Sequence, residues 1–166
     1  MKAIIICSND IYFTNPLIRK TITNLREKFD CDVKGIYLLH GFFDWERTLK
    51  TFFIIGIGGI IKLIFWKNRL SLNFVAKEFK LPIYEYGSSR LLNEDVDLIF
   101  VFNINKIIKK DILLMPKKGC INLHFGSLPR YRGIFPAFWA HYNGEDYMGI
   151  TCYKMDQGID TGTILC

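Results

Sequence analysis

Apolar residues recur along this chain in two rhythms. Short β-branched runs, Lys2–Cys7 (KAIIIC), 32–39 (DVKGIYLL), 97–102 (DLIFVF) and 119–124 (GCINLH), read as buried strands. Between them Ile18, Ile22, Leu25 and Phe29 follow steps of four and three, which predicts a helix from Asn15-Pro16 to about Phe29 with one apolar face. Phe74, Val75 and Phe79 predict a second helix, and 81–86 (LPIYEY) a short strand. A further helix spans 107–114 and ends before Pro116, and Pro136 opens another in PAFWAHYN. Late strands are expected over 147–154 and 163–165. Strands that alternate with helices predict an α/β domain with a mostly parallel sheet flanked by helices. Ligands of such sheets sit beyond the carboxyl ends of strands, near the switch in strand order.

Composition narrows this picture. The chain has 166 residues, of which 50% are hydrophobic and 23% charged, enough apolar side chain to bury a core and too little charge for disorder. This length suits one domain. The net charge of +6 permits an anionic substrate but is spread along the chain, without the clustered stripe that would indicate nucleic acid. Five cysteines without a C-x-x-C pair argue against zinc and against a disulfide framework. Cys7 and Cys120 read as buried apolar residues. The apolar start is too short for a signal peptide, so the expected location is the cytoplasm. The run 51–66 (TFFIIGIGGIIKLIFW) falls short of the roughly 20 residues of a spanning helix. It is expected to be a buried helix, with peripheral membrane or protein contact as the alternative.

Candidate chemistry gathers in the last quarter. Asn122 and His124 lie two apart in a strand, so their side chains share a face. A loop from Gly126 to Gly133 follows, carrying Arg130 and Arg132, which could be surface charges or grip a phosphate. Asp160 sits in the glycine-flanked turn Gly158-Ile159-Asp160-Thr161-Gly162. An amide aimed at an oxyanion is worth roughly 3–4 kcal/mol. An imidazole that titrates near neutral pH can move a proton, and a carboxylate can hold that imidazole. No nucleophile with a paired base suggests an acyl-enzyme. His40 and His141 read as surface or packing residues, and Phe138 and Trp139 as helix packing, with a place for one of them in the lining of the substrate cleft as the alternative.

Asn122-x-His124, Ser127-Leu128-Pro129, Arg132-Gly133 and Asp160, in that order, resemble the signature of the formyltransferases that use 10-formyltetrahydrofolate. The resemblance is close from Asp97 onward and loose before it. Phe125-Gly126-Ser127 departs from the family pattern by shifting the serine one place. The resemblance implies a Rossmann-like formyltransferase fold, a catalytic triad of Asn122, His124 and Asp160, and 10-formyltetrahydrofolate as cosubstrate without a metal. It implies a folate site at Asn105, Lys106, Ile107 and Ile108 and at Asp156, Gln157 and Gly158, read largely through backbone groups. Ser8, Asn9, Arg130 and Arg132 are the expected substrate contacts.

The first loop, Cys7-Ser8-Asn9-Asp10, lacks the glycines of glycinamide ribonucleotide transformylase. Methionyl-tRNA formyltransferases carry a second, C-terminal domain for tRNA, for which 166 residues leave no room; what remains resembles a sugar N-formyltransferase, so the expected acceptor is a nucleotide-linked amino sugar, as in O-antigen biosynthesis, with no nucleic-acid partner. A homodimer is left open. The family's catalytic domain continues past the position of Cys166, so residues 1–166 are expected to be one catalytic domain incomplete at its C-terminus. The alternatives are a formyltetrahydrofolate hydrolase and an inactive truncated remnant.

Overall fold

The computed structural model describes residues 1–8, 14–39, 71–92, 95–104 and 106–166. The run 51–66, His40, Asn9 and Asn105 lie outside the described residues.

Seven strands form one sheet: β1 Lys2–Cys7, β2 Asp32–Leu38, β3 Ile83–Glu85, β4 Leu98–Phe102, β5 Cys120–His124, β6 Thr151–Lys154 and β7 Thr163–Ile164, in the order β3-β2-β1-β4-β5-β6-β7. The first five run parallel, while β6 and β7 pair antiparallel. The expected mostly parallel α/β sheet is what the chain forms. Central strands are apolar throughout because both faces are covered; Ala3 to Cys7 of β1 are all fully buried.

Helices α1 (Thr14–Phe29) and α2 (Leu72–Phe79) cover one face, where Ile18, Ile22 and Leu25 of α1 meet Ile5, Val33 and Val75. Ser71 caps α2, its hydroxyl oxygen accepting from the Phe74 amide at 3.2 Å. Two short helices, α3 (Ser89–Leu92) and α4 (Lys110–Leu114), serve the opposite face, with Leu91, Ile108 and Ile112 against Ile4, Ile6, Ile99 and Val101. The last helix, α5 (Pro136–Tyr142), follows the Gly126–Gly133 loop.

The structure corrects several expectations. Phe29 does not complete the buried stripe of α1; it is 66% exposed and edges an open apolar groove with Met1 and Phe100. Phe138 and Trp139 are also exposed: Phe138 stacks on Tyr142, and Trp139 meets both rings edge-on, rather than packing on the core. Of α5 only Ala140 is buried. The strand expected from residue 147 begins at Thr151, because Gly144 takes a positive φ in the turn before it. The helix expected over 107–114 is confined to Lys110–Leu114, since Ile108 is spent in the core ahead of it.

Candidate active site

β5 supplies the first two groups. Its burial alternates so that Cys120, Asn122 and His124 point to one face and Ile121 and Leu123 to the other. β6 runs antiparallel beside it with Asn122 opposite Tyr153 and His124 opposite Thr151. Four polar side chains thus share a patch at the sheet's margin, and all four are buried. Buried polar groups demand partners, and these have them except at Asn122 Oδ1. The Thr151 hydroxyl donates to the Gly126 carbonyl at 2.7 Å and accepts from the Leu128 amide at 3.1 Å, which ties down the loop after β5.

The turn between β6 and β7 brings Asp160 onto the patch. Asp160 takes a left-handed φ of 52°, and Gly162 follows because a Cβ there would lie 1.8 Å from the Lys154 carbonyl oxygen. The Asp160 carboxylate is fully engaged. Oδ1 accepts from the Tyr153 hydroxyl at 2.6 Å, and Oδ2 accepts from the Gly133 amide at 2.7 Å. Oδ2 also stands 3.6 Å from His124 Nδ1. On its other side Tyr153 accepts from Asn122 Nδ2 at 3.0 Å. Burial first, and the Asp160 carboxylate second, push the Tyr153 phenol well above its usual range. It therefore remains a protonated donor at any working pH. No motif in the sequence marks Tyr153. The available signal was its place in the alternation of Thr151 and Tyr153, which had no meaning until the β5–β6 register was known.

His124 Nε2 lies 2.6 Å from the Tyr131 carbonyl oxygen. A carbonyl only accepts, so Nε2 carries a proton, and Nδ1 faces Asp160. The loop can close this tightly because residue 126 is glycine: a Cβ there would meet His124 Nε2 at 2.9 Å and the Tyr131 oxygen at 3.0 Å. The Phe125-Gly126-Ser127 departure is thus what lets this loop lie against the histidine.

The other expected site residues are placed as follows. Ser8 follows β1 and donates its hydroxyl to the Asn103 carbonyl beyond β4, at the point where strand order reverses. Arg132 donates to the Asp160 carbonyl at 3.0 Å and so buttresses the turn. Arg130 is exposed, lies over the Tyr131 ring and pairs with Glu145 at 2.6 Å. Lys106 and Ile107 are exposed at the carboxyl end of β4, whereas the Ile108 side chain is committed to the core, leaving its backbone for any ligand. Asp156, Gln157 and Gly158 form the exposed turn before Asp160. Asp156 is held there by the Thr161 hydroxyl at 2.6 Å and the Gly158 amide at 3.0 Å, which keep its carboxyl below the usual range. Among the described residues no group of three or more His, Cys, Asp or Glu is arranged to hold a metal. No helix among them is long and apolar enough to cross a membrane.

An amide donor, an imidazole and a carboxylate around one sheet margin suit the transfer of an acyl group through a tetrahedral oxyanion. Residues 85–166 match the formyl transferase family model. That stretch holds every residue of the Asn122–Tyr153–Asp160–His124 network. Over 100 residues the chain is 39% identical to a methionyl-tRNA formyltransferase of Clostridioides difficile, a match covering 55% of this chain and 32% of that relative. The chain therefore matches about a third of the length of this curated relative. Among solved structures it resembles glycinamide ribonucleotide transformylase 1 from Symbiobacterium toebii, with a TM-score of 0.69 at 15% identity, over 100% of this chain and 71% of that one. It also resembles the formyltransferase PseJ from Anoxybacillus kamchatkensis, solved with UDP-4,6-dideoxy-4-formamido-L-AltNAc and tetrahydrofolate, with a TM-score of 0.53 at 21% identity, over 99% and 58%. At these identities the structural likenesses show the shared fold.

Proposed function

We propose that the protein transfers a formyl group from 10-formyltetrahydrofolate to an amine, with residues 1–166 forming catalytic-domain structure. The observation that carries this reading is the convergence of Asn122, His124 and Asp160 on one patch, linked through Tyr153. The amine nitrogen attacks the formyl carbon, and the carbonyl oxygen becomes an oxyanion. Asn122 Nδ2 uses one N–H on Tyr153 and has a second for that oxygen. His124 gives up its Tyr131 contact and moves its proton to Nδ1, beside Asp160, so that Nε2 takes the proton lost by the amine and passes it to the folate N10. Asp160 stabilises the charged imidazole meanwhile. The C–N10 bond then breaks, releasing tetrahydrofolate and the formamide.

The acceptor we favour is a nucleotide-linked amino sugar. The glycine-free Cys7-Ser8-Asn9-Asp10 loop and the ligand of the PseJ neighbour support it. Folate would lie against the backbone of 105–108 and 156–158. The five cysteines are all free thiols, in keeping with the cytoplasmic setting this reading entails.

The test is incubation with 10-formyltetrahydrofolate and three kinds of amine: nucleotide-linked amino sugars, glycinamide ribonucleotide and methionyl-tRNA. Mass spectrometry reads the formyl adduct. A formylated amino sugar is expected. A formylated tRNA or ribonucleotide would overturn the acceptor, and free formate without amine dependence would make the protein a hydrolase. His124→Ala and Asp160→Ala should each lower kcat by on the order of 10²–10⁴-fold. Near-full activity in either would remove that residue from the mechanism.

A further inference from the structure

We propose that Tyr153 is a positioning residue that fixes which way the Asn122 carboxamide faces. The inference deepens the formyl-transfer reading and rests on it for its catalytic consequence.

A phenol has one proton to give. Tyr153 gives it to Asp160 Oδ1 at 2.6 Å, so toward Asn122 it can only accept. It accepts from Nδ2 at 3.0 Å. Were the amide turned over, its Oδ1 would face a phenol oxygen whose proton is already committed, and two acceptors would be opposed. The phenol thereby selects the orientation that leaves a second N–H on Nδ2. Among the described residues nothing else makes that choice: the buried Asn122 Oδ1 has no hydrogen-bond partner among them. An amide with an unpartnered oxygen gains from turning over unless something opposes it.

Register makes this possible. Tyr153 stands directly opposite Asn122 across the β5–β6 ladder, and both point to the face that Asp160 reaches. The Tyr153 side chain is 2% exposed, so it acts through its neighbours rather than on substrate. One hydroxyl thus ties the oxyanion donor to the carboxylate that holds the histidine. The two ends of the site are set by the same proton.

Tyr153→Phe removes only the hydroxyl and tests the claim. Its kcat should fall roughly 10- to 100-fold while KM for 10-formyltetrahydrofolate stays within about threefold, the pattern of a lost transition-state contact. Adding Tyr153→Phe to Asn122→Ala should cost clearly less than the two single losses combined, because the phenol's share that acts through the amide is already gone and only its hold on Asp160 is left to lose. A kcat within about twofold of the parent, or a full additive loss in the double variant, overturns the proposal.

A readout without turnover separates this from the formyl-transfer reading. In the native protein, NMR should show one Asn122 side-chain amide proton exchanging at least about tenfold more slowly than the other, and Tyr153→Phe should abolish the difference. If no amine is formylated but this asymmetry holds and is lost in the variant, the reaction assignment fails and the positioning role stands. If both protons of the native amide exchange alike, positioning fails whatever the reaction, and that measurement does not depend on the variant folding.

Discussion

The two wings of the sheet are built on different physics. The wing of β3, β2 and β1 is parallel, built mainly of buried apolar side chains and covered on one face by α1 and α2. The wing of β5, β6 and β7 turns antiparallel and buries a threonine, an asparagine, a histidine and a tyrosine hydroxyl. Hydrophobic burial is non-directional, so the first wing needs only roughly the right volume. A buried polar network is satisfied in one geometry, so the second needs particular atoms at particular distances. The first wing should therefore fail by losing stability, and the second by losing function.

Ile22→Ala would break the first wing most directly. Ile22 is fully buried between α1 and the sheet, and the cavity should cost about 2–5 kcal/mol in urea denaturation. The folded fraction should keep its activity. A large kcat loss per folded molecule would show that the wings are not separable in this way.

Gly126→Ala inverts that pattern. The new methyl would reach His124 Nε2 and the Tyr131 carbonyl, displacing the histidine or the loop by a few tenths of an ångström or more. A misplacement approaching 1 Å costs on the order of 10²-fold in kcat, while overpacking costs about 1–3 kcal/mol of stability. Unchanged kinetics would mean the closed loop is not the working state.

The smallest effect is alkaline. Burial pushes the Cys7 and Cys120 thiols up to about 12 from an ordinary 9.0. Below that ordinary value both states keep the proton, and the thiols contribute no pH dependence. As pH rises from 9 toward 12 the unfolded chain ionises first, so stability falls. Cys7→Ala should flatten this decline in the denaturation midpoint. An identical slope in the variant would assign the decline to other groups.

Much of this was readable from the residues. The runs KAIIIC and LIFVF were strands because their own composition leaves little else. Asn122 and His124 were a pair because period-two alternation is a local rule. The α5 aromatics misled because local spacing says which residues share a face, not whether anything covers it. Phe29 misled for the same reason: the stripe of α1 continues to it, but the sheet beneath does not.

The chain order of elements, the parallel class of the sheet and the presence of an amide, an imidazole and an acid were thus determined by sequence alone, since each follows from contacts within a few residues. The tertiary structure decided that Tyr153 faces Asn122, that Asp160 turns left-handed onto His124, and that Gly126 lies under the loop. The first two depend on pairing between residues 7 to 36 apart along the chain, and the third on Thr151 of β6 holding the Gly126 carbonyl 25 residues away; no local preference acts over such separations.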